Sequence, residues 1–286
     1  MWTAEEIPDL TGRTAVVTGA SGGIGVPTAL ELARHGARVV LTARDPGRGR
    51  DALEAIRAKV PGAAVEVGAL DLADLRSVRA FAGTVGGPLD LLVNNAGLGP
   101  MPRGTTADGF ETQFGVNHLG HFALTGLLMP RLLAAPAARV VTVSSGAHAF
   151  GEIDFDDLGL ERRYGSWAAY GRSKLANLLF ALELQRRAEA SGAALLSLAA
   201  HPGTTATGIL RTGRPLNALM RLLLRSPAKG ALPSLYAATS PEAEGGQYVG
   251  PGPRVLRPSA RAMDPAVAAR LWEVSEELTG VRFAET

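Results

Sequence analysis

Short, continuous apolar runs alternate with helical stretches along nearly the whole chain, and this alternation constrains the fold more than any other feature. Residues 14–18, 38–42, 64–67, 89–93, 139–143, 194–199 and 247–249 are brief runs dominated by Val, Leu and Ala. Between them lie segments with helical apolar spacing at 25–36, 51–59, 75–85, 108–133, 166–191, 216–224 and 229–239, and a closing helix at 265–279. That closing helix has Pro265 at its start and Gly280 just after its end. Apolar strands with no polar alternation, separated by amphipathic helices, predict a parallel sheet covered on both faces. No linker or repeat interrupts the pattern in 286 residues. The chain therefore reads as a single doubly wound α/β domain over 1–286, with about seven strands flanked by helices. Pro and Gly concentrate at 202–215 and 241–258, which read as functional loops.

Composition removes several classes of function. The 29 basic and 27 acidic residues nearly balance, and no basic run or aromatic-interleaved stripe appears, so nucleic acid is not an expected partner. The absence of cysteine excludes disulfides, thiolate metal ligands and a cysteine nucleophile, and is compatible with a reducing cytoplasm. The acidic N-terminal stretch lacks the regions of a signal peptide, and no apolar run approaches about 18 residues without a charge or breaker. A cytoplasmic protein without a membrane span is expected.

The first strand runs into Thr18-Gly-Ala-Ser-Gly-Gly-Ile-Gly25. Gly19, Gly23 and Gly25 permit a tight turn and close backbone approach, and the following helix N-terminus offers unpaired N–H groups to a pyrophosphate. An ordinary Gly-rich turn has the same composition, but the position at the first strand–helix junction favours a dinucleotide. An NAD-selective site usually carries an acid at the end of strand two. Here Ala43 holds that place and Arg44 follows. A guanidinium suits a 2′-phosphate, so NADP(H) is expected over NAD(H). Asp45 is the alternative, because a register slip of two makes it a ribose ligand.

Tyr170 and Lys174 stand four residues apart in the 166–191 helix, on one face. A free phenol titrates near ~10, and a neighbouring positive charge lowers that value toward the range useful for acid–base catalysis. Taken alone, the pair also fits a helix on which the two residues meet without function.

The order of the remaining motifs is more specific. Asp71-Leu72 follows strand three, Asn94-Asn95-Ala96-Gly97 strand four, and Asn117 lies in Val-Asn-His-Leu-Gly-His-Phe. Ser145 ends Val-Thr-Val-Ser-Ser, and His201-Pro202-Gly203 follows strand six. Over about residues 10–282 the chain resembles the short-chain dehydrogenase/reductase family, and its local strings are similar to the branch of retinol dehydrogenases and WW-domain-containing oxidoreductases. The closing Trp-Glu-Val-Ser-Glu-Glu-Leu-Thr-Gly resembles bacterial members of that branch.

The resemblance implies a catalytic tetrad of Asn117, Ser145, Tyr170 and Lys174. Tyr170 would exchange a proton with the substrate oxygen and Ser145, rather than Ser144, would bond that oxygen. Lys174 would lower the phenol pKa and hold the nicotinamide ribose, and Asn117 would order a water relay. Cofactor contacts would come from Gly19, Ser21, Gly22, Gly23, Ile24 and Gly25 at the phosphates, Arg44 at the 2′-phosphate, and Asp71 and Leu72 at adenine. Asn95, Ala96 and Gly97 would lie near the ribose, with Pro202, Gly203, Thr205 and Thr207 beyond. Turn chemistry accounts equally for the two threonines. His118, His121 and His201 lack an acidic or thiol cluster at ligand spacing, so they are read as packed or capping residues, with no metal.

Residues 146–169 between Ser145 and Tyr170 are longer than is common in the family, so 146–165 reads as an inserted loop over the site, with 204–228 as a second substrate loop. Phe150, Trp167, Leu210, Leu216, Met220, Leu223 and Tyr248 are candidate pocket residues there, with core packing as the alternative. The expected function is an NADP(H)-dependent oxidoreductase, acting as a reductase, that interconverts an apolar ketone or aldehyde with an alcohol. Alternatives on the same fold are a tailoring reaction without net redox and a non-catalytic NADP-binding sensor. Pairing of the two long helices would give a homodimer or homotetramer.

Overall fold

The computed structural model describes residues 2–203 and 226–283. Eight strands among them form one sheet: β1 (Thr14–Val17), β2 (Arg38–Ala43), β3 (Val65–Ala69), β4 (Leu91–Asn94), β5 (Ala138–Val143), β6 (Leu195–Ala200), β7 (Tyr248–Gly250) and β8 (Arg254–Leu256). Their order is β3-β2-β1-β4-β5-β6-β7-β8, parallel throughout except for β8, which runs antiparallel to β7. The order reverses between β1 and β4, and the crevice beyond the carboxyl ends of such strands is where doubly wound sheets bind ligands. The added eighth strand is three residues long and borders Pro251, Gly252 and Pro253, which mask it in the sequence.

Successive strand residues feed opposite faces, as the pleat requires. Ala15 and Val17 join one core with Leu91 and Val93, while Val16 and Leu92 join the other. Helices α1 (Gly25–Arg34), α2 (Pro46–Lys59) and α7 (Pro227–Thr239) pack on the first face. Helices α3 (Leu75–Thr84), α5 (Gly120–Leu133) and α6 (Ser166–Ser191) cover the second, and α8 (Pro265–Thr279) lies against α5 and α6.

Two boundaries differ from expectation by four or more residues. Helix α2 starts at Pro46, five residues early, because Asp45 caps it and Pro46 opens its first turn. Gly47 and Gly49 hide this start, yet a Cβ at Gly49 would stand 2.7 Å from Val67 Cγ1, so the crossing over β3 requires a small residue. The expected helix at 108–133 begins at Thr112, where Glu111 accepts from the N–H groups of Gln113 and Phe114 at 2.9 and 2.8 Å. It is a short α-turn, α4 (Thr112–Phe114), then a π-helical turn (Gly115–Leu119), then α5. The helix expected at 216–224 lies outside the described residues. Among the described residues, no helix is long and apolar enough to cross a membrane.

Candidate active site

Where β1 ends, the chain turns through Gly19 (φ +63°) toward α1, and a Cβ at Gly19 would stand 2.8 Å from Ala96 Cα. A Cβ at Gly25 would lie 2.7 Å from Asn95 Nδ2, so two glycines let the loop press against the segment after β4. Asp45, Asp74 and Asp264 cap α2, α3 and α8 with their carboxylates. Helix α1 has no side-chain cap at Ile24 and no acid in its first turn. Its N-terminus, which follows Ser21, Gly22 and Gly23 beyond the carboxyl end of β1, suits an anion. Asn95 Oδ1 is buried without a hydrogen-bond partner among the described residues. An uncapped helix, a cradle that a Cβ would fill and an orphaned buried acceptor together fit a dinucleotide, with Ala96 and Gly97 continuing its edge.

Ala43 closes β2 and is buried, and the exposed Arg44 makes no ion pair among the described residues. Asp45 Oδ1 accepts from Gly47 N at 2.8 Å and Arg48 N at 3.1 Å, bonds that hold its carboxyl below the usual range. It is thus engaged as a cap. Arg48, absent from the expected set, places Nη2 3.5 Å from the Ser21 carbonyl. Its spacing of four from Arg44 across the start of α2 was the available signal. Asp71 and Leu72 follow β3 in a turn in which Asp71 Oδ1 accepts from Ala73 N at 2.9 Å. Pro202 and Gly203 follow β6, and Gly203 N donates to His201 Nδ1 at 3.3 Å. Thr205 and Thr207 lie outside the described residues, as do Leu210, Leu216, Met220 and Leu223.

Across the crevice, Ser145 follows β5 and α6 presents Tyr170 and Lys174. Ser145 neighbours the Tyr170 hydroxyl closely enough to act on its titration. Ser144 is engaged elsewhere, because its hydroxyl donates to the Lys174 carbonyl at 2.7 Å. Lys174 Nζ donates to the Val143 carbonyl at 3.1 Å and sits 5.8 Å from the Tyr170 ring centroid. Burial lowers its pKa to about 8. The spacing argument expected the ammonium to lower the phenol. Instead burial pushes Tyr170 up, and the neighbouring Ser145 hydroxyl opposes it. The Asn117 side chain ties the segment after β4 to α6: Oδ1 accepts from Leu98 N at 2.7 Å, and Nδ2 donates to Leu98 O at 3.0 Å and Ser173 Oγ at 2.9 Å. A Cβ at Gly97 would stand 3.3 Å from both Lys174 Nζ and Asn117 Oδ1, so the two halves of the site meet there.

Two further groups border the tetrad. Buried Tyr248 has its pKa raised by burial and by Tyr170, and its hydroxyl lies 3.4 Å from His148 Nδ1. His148 Nδ1 also lies 2.8 Å from the Ser145 carbonyl, and its Nε2 accepts from Ser259 N at 3.2 Å. Histidine 148 carried no motif in the sequence. Phe150 and Trp167 are both half-exposed, with Trp167 edge-on to Tyr170 at 6.1 Å. His118 and His121 are packed and hydrogen-bonded, as expected.

Comparison with known proteins agrees with this geometry. The short chain dehydrogenase family model matches residues 13–215. Retinol dehydrogenase 12 of Mus musculus is 45% identical over 282 residues, covering 96% of this chain and 88% of that protein. A solved structure from Mycobacterium paratuberculosis superposes with a TM-score of 0.84 at 46% identity, covering 99% of both chains. Another, from Beutenbergia cavernae and containing NADP at low occupancy, has a TM-score of 0.65 at 27% identity, covering 85% of this chain and 96% of that one. The chain belongs to the short-chain dehydrogenase/reductase family and is an oxidoreductase of its retinol dehydrogenase-like branch.

Proposed function

We propose that the protein is an NADP(H)-dependent oxidoreductase that reduces an apolar ketone or aldehyde to its alcohol. The observation that carries this reading is buried Tyr170 with Lys174 Nζ 5.8 Å from its ring and Ser145 beside its hydroxyl, across a crevice from an uncapped helix N-terminus. The bound dinucleotide supplies the hydride, and the chain's own residues handle the proton. Burial keeps the Tyr170 phenol protonated at neutral pH, ready to donate to a carbonyl oxygen as it gains charge. Ser145 steadies the same oxygen. Lys174 has spent one donor on Val143, which leaves N–H groups for a ribose hydroxyl and a positive charge to balance the phenolate.

Arg44 and Arg48 support the 2′-phosphate form, since Asp45 is held as a cap and no other acid takes the strand-two position. The NADP-containing relative and the half-exposed Phe150 and Trp167 support the cofactor and an apolar substrate. The test is consumption of NADPH and of NADH with a panel of apolar ketones and aldehydes. NADPH turnover on at least one carbonyl is expected, and dinucleotide binding without oxidation by any of them contradicts the proposal.

A further inference from the structure

Between the glycine loop and the tetrad lies a ring that neither half of the site uses directly. His121, in the first turn of α5, is 1% exposed. Its Nδ1 is 3.0 Å from the Asn117 carbonyl oxygen, and its Nε2 is 2.8 Å from Thr18 Oγ1. A carbonyl only accepts, so Nδ1 carries the proton and the neutral ring offers Nε2 as an acceptor. The Thr18 hydroxyl therefore donates to Nε2, its other possible acceptor being Val93 O at a longer 3.4 Å. Thr18 Oγ1 in turn accepts from Asn95 N and Ala96 N, each at 2.9 Å. The two His121 nitrogens and the Thr18 hydroxyl thus have every donor and lone pair matched.

The path joins the two halves of the site. At one end Asn117 grips Leu98 and Ser173, and Ser173 adjoins Lys174. At the other, Thr18 begins the glycine loop, and its carbonyl accepts from Asn95 Nδ2 at 2.7 Å. We propose that His121 is a positioning residue that fixes the separation between the dinucleotide loop and the Asn117 turn, so that the cofactor and Tyr170 meet the substrate together. This rests on the oxidoreductase reading above. Burial first, and the charge of Lys174 last, keep the ring neutral, with a pKa of about 4 against the opposing pull of the Asn117 carbonyl. A second ring proton would face a threonine oxygen whose lone pairs are filled.

Shorter side chains separate the two ends. Asparagine at 121 places an amide where Nδ1 stands and reaches only Asn117; glutamine places one where Nε2 stands and reaches only Thr18. His121→Asn should raise the cofactor KM about 10-fold or more while largely keeping kcat, and His121→Gln should lower kcat by a similar factor while keeping the cofactor KM. His121→Leu should do both. Unchanged kinetics in all three, or kcat and KM moving together in all three in proportion to lost thermal stability, overturns the proposal. Fluorescence titration of the wild-type protein with NADPH separates the premises: no binding sinks the functional reading, whereas normal turnover with indifferent variants sinks the role of His121 alone. Variants that fail to fold leave the ring as its own probe. At pH 7 its nitrogen-15 spectrum must show the proton on Nδ1 and a bare Nε2, and a proton on Nε2 overturns the assignment.

Discussion

Ser144 and Ser145 carry the same hydroxyl one residue apart, and packing alone gives them different work. Ser144 Oγ is spent on the Lys174 carbonyl, where it ties β5 to α6, while Ser145 stands beside the Tyr170 hydroxyl. Ser145→Ala should therefore lower kcat by about 10²- to 10³-fold with little change in unfolding temperature. Ser144→Ala should instead cost about 1 kcal/mol of stability and spare most of kcat; kinetics and denaturant melts on both variants read the difference. Arg44→Asp should weaken NADP(H) binding about 10- to 100-fold and NAD(H) binding less, as measured by titration, and equal loss of both contradicts the 2′-phosphate assignment. The Tyr170–Lys174 pair was legible from spacing, and the paired serines from the motif. The direction of the Tyr170 shift was not, because spacing reports neighbours while burial, set by distant segments, raises the phenol. Arg48 was missed for a related reason: a surface arginine gains meaning only when the fold carries it to Ser21.

At the scale of the element, the decisive departure is the π-turn that carries Asn117. Apolar periodicity predicted one helix there and could not distinguish four-residue from five-residue hydrogen bonding, since the side-chain pattern barely changes over a single turn. This turn brings two histidines into the core: His118, whose Nε2 lies 2.9 Å from Ser275 Oγ on α8, and His121. Burial is the first cause of both shifts, with pKa values of about 3 and about 4 against 6.5 when unfolded. The unfolded chain thus binds more protons between those values, so their contribution to stability is complete above pH 6.5 and falls as the pH drops toward 4. Each ring should cost about 2 kcal/mol between pH 7 and pH 5. Urea melts at the two pH values test this, and His118→Gln should remove roughly half of the dependence attributed to the pair. A stability that stays flat across that interval contradicts the neutral, buried assignment.

Across the whole molecule, the alternation of apolar runs and helices led to the doubly wound sheet because each strand buried on both faces must read as continuously apolar. What it could not show was how the C-terminal segment closes the structure. Trp272 of α8 stacks on Phe180 of α6 at 5.7 Å, and Phe283 packs against Trp272 at 4.3 Å and Phe122 of α5 at 4.9 Å. Phe180 and Phe122 lie some 90 to 160 residues before the C-terminal rings they meet, beyond any local pattern. Copies pairing through α5 and α6 in a homodimer or homotetramer would therefore meet α8 along this seam. Trp272→Ala should cost about 3–5 kcal/mol in a denaturant melt. The site itself is assembled at the same scale, with the glycine loop from the first strand and the proton donor from a helix about 150 residues later. In the proposed reaction Tyr170 gives the proton while the loop holds NADPH. The most direct measurement is NADPH turnover on a carbonyl accepted by the wild-type protein, repeated with Tyr170→Phe, alongside NADPH affinity by fluorescence titration. In Tyr170→Phe, kcat should fall by about 10²- to 10⁴-fold with affinity nearly unchanged; a variant that turns over at the wild-type rate rules out Tyr170 as the proton donor.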